Sequence, residues 1–117
     1  MQCSFLIFAP TAESYDRFSK GYMAPTHISY GHNNRTTALR IPNHNPRIEY
    51  RLGSPICNPH LMLYALFLQL EQAFANPANI TKQPIIYGNA YDEQYHLQKL
   101  PANLFEAYEC FAKDMYV

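Results

Sequence analysis

Asn58-Pro59 opens the stretch that most restricts how this chain can fold. Asparagine is a preferred helix cap and proline is tolerated at the first helical position, so the pair marks a helix start. The helix is expected to run to about Ala75, before Asn76-Pro77. Its first half, Leu61-Met62-Leu63-Tyr64-Ala65-Leu66-Phe67-Leu68, leaves almost no polar face. A helix that is apolar all round must be enclosed nearly all round. A chain of 117 residues buries only a modest core. The helix is therefore expected to belong to a larger body or to a homo-oligomer. The same run is far shorter than the roughly 20 residues needed to cross a bilayer.

Upstream the signals are those of short strands. Phe5–Ala9 is an apolar segment stopped by Pro10, readable as a buried strand or as the end of another element. Thr11 is placed to cap a helical turn through Ser14–Phe18, with Glu13 near its positive end. Lys20-Gly21-Tyr22-Met23-Ala24-Pro25 reads as a loop. Thr26–Tyr30 and Thr36–Ile41 are β-rich, and Gly31-His32-Asn33-Asn34 between them has turn chemistry. Pro42–Pro46 leads into Arg47–Leu52. These runs predict a three-stranded antiparallel meander whose last two strands form a hairpin. Residues 76–100 look irregular, broken by Pro77, Pro84 and Gly88. A last helix starts at Asn103, with Glu106 three residues on, and Leu104, Tyr108, Phe111 and Met115 form its apolar stripe. The expected class is α+β: a short antiparallel meander followed by two packed helices. Residues 1–117 form one domain, with strands and loops over 5–52 and helices over 58–117.

Nine basic and nine acidic side chains cancel, which argues against a general nucleic-acid binder. The cancellation hides an asymmetry. Residues 1–51 hold Arg17, Lys20, Arg35, Arg40, Arg47 and Arg51 against Glu13, Asp16 and Glu49. Arginine's rigid fork suits carboxylate and phosphate, so an anionic small ligand fits this half. In Arg47-Ile48-Glu49-Tyr50-Arg51 strand alternation puts Arg47, Glu49 and Arg51 on one face and Ile48, Tyr50 and Leu52 on the other. A solvated charged strand is the commoner origin of such a face. The alternative is an arginine cluster around one carboxylate, which could also ligate a hard cation such as Mg²⁺.

Cys3, Cys57 and Cys110 are odd in number, far apart and without a CxxC, as expected of reduced thiols in a cytoplasmic protein. No basic region precedes Phe5–Ala9, so no signal peptide is expected. The five histidines show no paired metal spacing, and turn, cap or surface roles are expected for them.

Five blocks in order carry a family resemblance. They are Ser14-Tyr15-Asp16-Arg17-Phe18, Gly21-Tyr22-Met23-Ala24-Pro25-Thr26, Asn34-Arg35-Thr36-Thr37-Ala38-Leu39-Arg40-Ile41-Pro42, Arg47-Ile48-Glu49-Tyr50-Arg51 and Asn58-Pro59-His60-Leu61. Together they resemble glutamine synthetase and the related gamma-glutamyl-amine ligases, with a weaker match at Leu100–Ala107. The resemblance implies ATP-dependent joining of ammonia or an amine to the side-chain carboxylate of glutamate, through a gamma-glutamyl phosphate held by Mg²⁺ or Mn²⁺. It implies an internal, C-terminal window of the catalytic domain, associating with itself or with family segments outside this chain, and no membrane or nucleic-acid partner.

Carried over by position, the resemblance places Arg17 and Arg51 at glutamate. Arg35 and Arg40 fall at the ATP phosphates and the transferring phosphoryl group, Arg47 on the nucleotide side, and Glu49 at a metal. Tyr91 falls near a tyrosine that some bacterial members modify with AMP. One departure stands out. The family's flap loop reads Gly-Tyr-Glu-Ala-Pro, and its glutamate helps close the site and handle the ammonium proton. Met23 occupies that position here, and a thioether can do neither. The isolated chain is accordingly expected to be inactive or nearly so, with a non-catalytic anion- or nucleotide-binding or assembly module as the alternative.

Overall fold

The computed structural model describes residues 4–19, 21, 23–79 and 83–115. The expectations for Cys3, Lys20 and Tyr22 lie outside the described residues. The chain runs through α1 (Phe5–Phe8), a 3₁₀ turn at Ala12–Tyr15, β1 (Tyr30–His32), β2 (Leu39–Ile41), β3 (Glu49–Tyr50), α2 (Pro59–Ala75), 3₁₀ turns at Pro77–Asn79 and Glu93–Tyr95, and α3 (Leu104–Met115).

The α+β class holds, and the sheet is mixed rather than an antiparallel meander. Its order is β1-β2-β3. β2 and β3 form the expected antiparallel hairpin, with Leu39 opposite Tyr50 and Arg40 opposite Glu49. β1 instead lies parallel to β2, pairing Tyr30 with Leu39 and His32 with Ile41. The supposed turn at Gly31-His32 is therefore strand. The β-rich run before it pairs elsewhere, through a bridge from His27 to Lys99 flanked by Ile28 N–H to Gln98 O at 2.8 Å and Leu100 N–H to Thr26 O at 2.9 Å. On its free side β1 meets Ile85 in a parallel bridge, and Ile86 N–H donates to Tyr30 O at 3.0 Å. The irregular segment thus supplies the edge that β1 would otherwise expose. No Cβ fits at Gly31, where it would lie 2.5 Å from the Ile86 carbonyl oxygen.

Phe5–Phe8 is a helical turn, not a strand, and both phenylalanines are fully buried. They centre a core with Ala9, Tyr15, Ala38, Leu52, Ala65, Leu100 and Ala107. The core thus joins α1, α2, α3 and the underside of the hairpin. Phe8 packs on Tyr50 with ring centroids 5.0 Å apart, and Phe5 meets Tyr15 and Phe18 edge-on. Thr11 does not cap a backbone N–H; its hydroxyl bonds that of Ser14 at 3.1 Å.

α2 starts as expected. The Asn58 side chain accepts from His60 N–H at 3.0 Å and Leu61 N–H at 3.3 Å, and Pro59 is the first helical residue. Within this chain the helix is covered on one side only: Ala65 is buried and Met62 and Leu66 partly so, while the rest of its large apolar side chains lie exposed. Of the expected α3 stripe, Leu104 packs on the core beside Ala107, Phe111 is half-buried and Tyr108 is exposed, while the Met115 side chain lies outside what is described. Its start is a displaced capping box. Asn103 Oδ1 accepts from Glu106 N–H at 2.9 Å, while the Glu106 carboxylate accepts from Ala102 N–H at 2.9 Å.

Candidate functional site

The hairpin register sets Arg40 beside Glu49, and their side chains meet: Arg40 Nη1 donates to Glu49 Oε2 at 2.7 Å. On the other carboxylate oxygen, Arg51 Nε lies 3.4 Å away. Both arginine side chains are 14% exposed and that of Glu49 is 39% exposed. Foremost among the causes, the hydrogen bond from Arg40 holds Glu49 below the usual carboxylate range; partial burial opposes it, and the charges of Arg40, Arg51 and Arg35 reinforce it.

Arg51 does more than neutralise Glu49. Its Nη1 donates to the carbonyls of Arg35 and Thr37, the latter at 3.1 Å, and its Nη2 to Met23 O at 2.8 Å. One guanidinium thus clasps the loop before β1, the β1–β2 connection and the acid of β3. Burial lowers its pKa without making it neutral. Arg17 supports this clasp from behind, its Nη2 donating to Gly53 O at 3.0 Å and to the backbone of Arg51 at 3.4 Å. Its guanidinium also sits 4.4 Å from the centre of the Phe18 ring.

Beside the cluster lies an open hollow of about 450 Å³, lined by Met23, His32, Asn33, Asn34, Arg35, Arg40, Tyr87 and Gly88. No carboxylate is among these lining residues, and two guanidiniums are. The hollow is therefore suited to an anion. Arg40 Nη2 is bonded to Asn33 Oδ1, while its buried Nε has no partner, leaving one donor unspent. Met23 stands at the rim in a left-handed backbone conformation, φ 52°.

The structure brings Arg17, Arg35, Arg40, Glu49 and Arg51 together and leaves Arg47 out. Arg47 is exposed and donates to His44 O at 3.3 Å in its own loop. The physical reason is that β3 is only Glu49–Tyr50, so the alternation expected from Arg47 to Leu52 does not begin until Glu49. Ile48 is exposed for the same reason, while Leu52 is fully buried as expected. Among the described residues no group of three His, Cys, Asp or Glu side chains, with Glu49 or without it, could hold a metal. A Mg²⁺ shell usually takes one or two carboxylates with phosphate and water. This donor set fits one corner of such a shell, not the whole of it.

Asn34 and Thr36 are the residues that sequence reasoning passed over. The Asn34 amide nitrogen donates to Ile86 O at 2.9 Å and Gly88 O at 2.7 Å, so it hangs the far wall of the hollow on the near one. Its Oδ1 accepts from Thr36 N–H at 3.0 Å, and Thr36 Oγ1 in turn accepts from Ala90 N–H at 2.9 Å. An Asn two residues before a Thr is the signature of an Asx turn, and was the available signal. Tyr91 is buried, its hydroxyl spent on the Ala24 carbonyl at 2.7 Å. Cys57 Sγ lies 3.6 Å from Met62 Sδ. Among the described residues no helix is long and apolar enough to cross a membrane.

Comparison with known proteins follows the same outline. A family model described as "Glutamine synthetase, catalytic domain" matches residues 1–117. Gamma-glutamylputrescine synthetase PuuA of Escherichia coli (strain K12) is 38% identical over 97 residues, 80% of this chain and 20% of that protein. A glutamine synthetase of Methanococcus voltae is 31% identical over 112 residues, 90% of this chain and 25% of that one. A solved chain titled "GmaS/ADP complex-Conformation 1" superposes with a TM-score of 0.76 at 27% identity, covering 97% of this chain and 27% of its own length. The chain therefore spans about a quarter of the length of the relatives it matches. With the family model matched from its first residue to its last, this chain belongs to the glutamine synthetase catalytic-domain family of gamma-glutamyl ligases.

Proposed function

We propose that this chain carries the arginine-rich face of a glutamine-synthetase-type ligase site, for ATP-dependent joining of ammonia or an amine to the glutamate side-chain carboxylate through a gamma-glutamyl phosphate. The observation that carries this reading is the acid-free hollow beside the Arg40–Glu49–Arg51 cluster. Arg35 and Arg40 line it and would face the ATP phosphates and the transferring phosphoryl group, where guanidiniums offset spreading negative charge. Arg40 is already braced by Glu49, so its position does not depend on the ligand. Arg17 and Arg51 serve the glutamate end, and exposed Arg47 reaches the nucleotide from the outside of its loop. Glu49 would lend one carboxylate oxygen to Mg²⁺ or Mn²⁺, which when bound adds charge neutralisation at the phosphates. Cytoplasmic placement goes with this role.

The chain alone binds nucleotide without turning it over. Met23 stands where the family's flap glutamate would be, and among the described residues no group of three metal-ligating side chains includes Glu49. This favours a binding or assembly module over a self-sufficient enzyme. Calorimetric titration with ATP and Mg²⁺, beside a phosphate-release assay with glutamate and ammonia, tests both parts. Binding that is lost in Arg35→Ala and Arg40→Ala is expected, with no phosphate release. Undiminished binding in both variants would refute the assigned site, and robust glutamate-dependent release would refute inactivity.

A further inference from the structure

Asn34 lines the hollow yet keeps nothing for a ligand. Its amide nitrogen donates to two carbonyls of the opposite wall, Ile86 O at 2.9 Å and Gly88 O at 2.7 Å. Its Oδ1 accepts twice, from the Thr36 N–H at 3.0 Å and from the Thr36 hydroxyl at 2.6 Å. A primary amide has two donor protons and two acceptor lone pairs, so all four are engaged. Turning the group over would set its oxygen against two carbonyls and its nitrogen against an N–H, so one orientation is fixed. A second tie crosses the same gap: Ala90 N–H donates to the Thr36 hydroxyl at 2.9 Å, and Thr36 and Ala90 are both buried.

Arg35 stands between these two residues. Its carbonyl accepts from Arg51, and just beyond it the fully buried Thr37 donates through its hydroxyl to Asn34 O at 2.7 Å. The Arg35 backbone is therefore held on both sides, although the residue itself is exposed. A long side chain on a fixed root can reach only a limited volume. The opposite wall, with Tyr87 and Gly88, hangs from the same Asn34 amide. One side chain thus governs both the root of Arg35 and the wall that faces it.

We infer that Asn34 is a positioning residue for the anion: bracketed with Thr36, it sets the width of the hollow and the placement of Arg35 without touching the ligand. The inference rests on the reading of the hollow as the phosphate site. Its physical content is preorganisation, since a guanidinium whose root is already ordered loses less freedom when phosphate arrives.

Calorimetric titration with ATP and Mg²⁺, run well below each variant's unfolding midpoint, reads the effect on folded chain. Asn34→Ala is expected to weaken ATP about tenfold, the scale on which small misplacements act. Thr36→Val keeps the shape and removes the hydroxyl, and should weaken ATP as well; Thr36→Ser should bind like the parent. Asn58→Ala loses a cap on α2 and serves as the control for lowered stability, with ATP affinity expected to match the parent's. Amide exchange needs no ligand: Ala90, whose own bond to Thr36 is untouched in Asn34→Ala, should exchange faster there. Undiminished binding in Arg35→Ala would refute the phosphate reading and this inference with it. Binding lost in Arg35→Ala but kept in Asn34→Ala would overturn the inference alone. Unchanged exchange at Ala90, or an equal loss of affinity in Asn58→Ala, would overturn it too. Should Asn34→Ala not fold, the Thr36 pair decides, and equal affinities in Thr36→Val and Thr36→Ser would overturn it.

Discussion

The hydroxyl of Tyr91 donates to the carbonyl of Ala24 across 2.7 Å, linking residues 67 apart in the chain. With the Arg51 bond to Met23 O, it fixes the loop bearing Met23 from two sides. Tyr91→Phe keeps the ring and removes the donor, leaving a buried carbonyl short of a partner. A loss of about 1 kcal/mol is expected by urea unfolding. Faster backbone amide exchange at Met23 and Ala24 should accompany it. An unchanged midpoint would show that the bond adds nothing to the folded state.

Asn58→Ala removes the cap from two amides at the start of α2. The expected cost is about 1 kcal/mol in chemical unfolding, and Asn58→Ser should restore most of it. A variant as stable as the parent would mean that tertiary contacts alone hold the first turn.

Glu49 should leave a mark on acid stability. Its folded pKa lies below its ordinary 4.5, chiefly because of the Arg40 hydrogen bond. The stabilisation is therefore present above pH 4.5 and lost as pH falls through the lower folded value. Glu49→Gln should flatten the urea midpoint against pH in that acid range, while lowering it near neutrality. Its partial exposure keeps the effect small. Parallel curves for the two proteins would remove Glu49 from the account.

At the alkaline end Tyr15 acts in the opposite sense. Burial pushes its phenol up to about 12, and its hydroxyl donates to Ala9 O at 2.8 Å. A raised folded pKa gives stability that is complete below the ordinary 10.0 and drains away as pH climbs toward 12. Tyr15→Phe should lose less stability across that window than the parent. Burial holds Tyr50 above its ordinary range as well, so some alkaline sensitivity should remain.

Local chemistry was legible where one residue decides the outcome. Asn58-Pro59 fixed the start of α2 and Asn76 its end, because caps act within a turn. The hairpin and the Arg40–Glu49–Arg51 contacts followed from alternation once the register was set. The direction of β1 was not legible: its partners include Leu39 on one side and Ile85 on the other, and no local pattern reports so distant a neighbour. Phe5–Phe8 misled because a short apolar run reads alike as strand or helix. Arg47 misled because alternation was extended past the end of a two-residue strand.

The contact of α1 with α3, and of β1 with Ile85 and Ile86, has a consequence for how the chain is made. Phe5 and Phe8 leave the ribosome well before the residues that seal them, Leu100 and Ala107. The first strand likewise waits for the segment that completes its edge. This core therefore closes only after Leu100 and Ala107 have been made, and until then the nascent chain carries bare phenylalanines and an open strand.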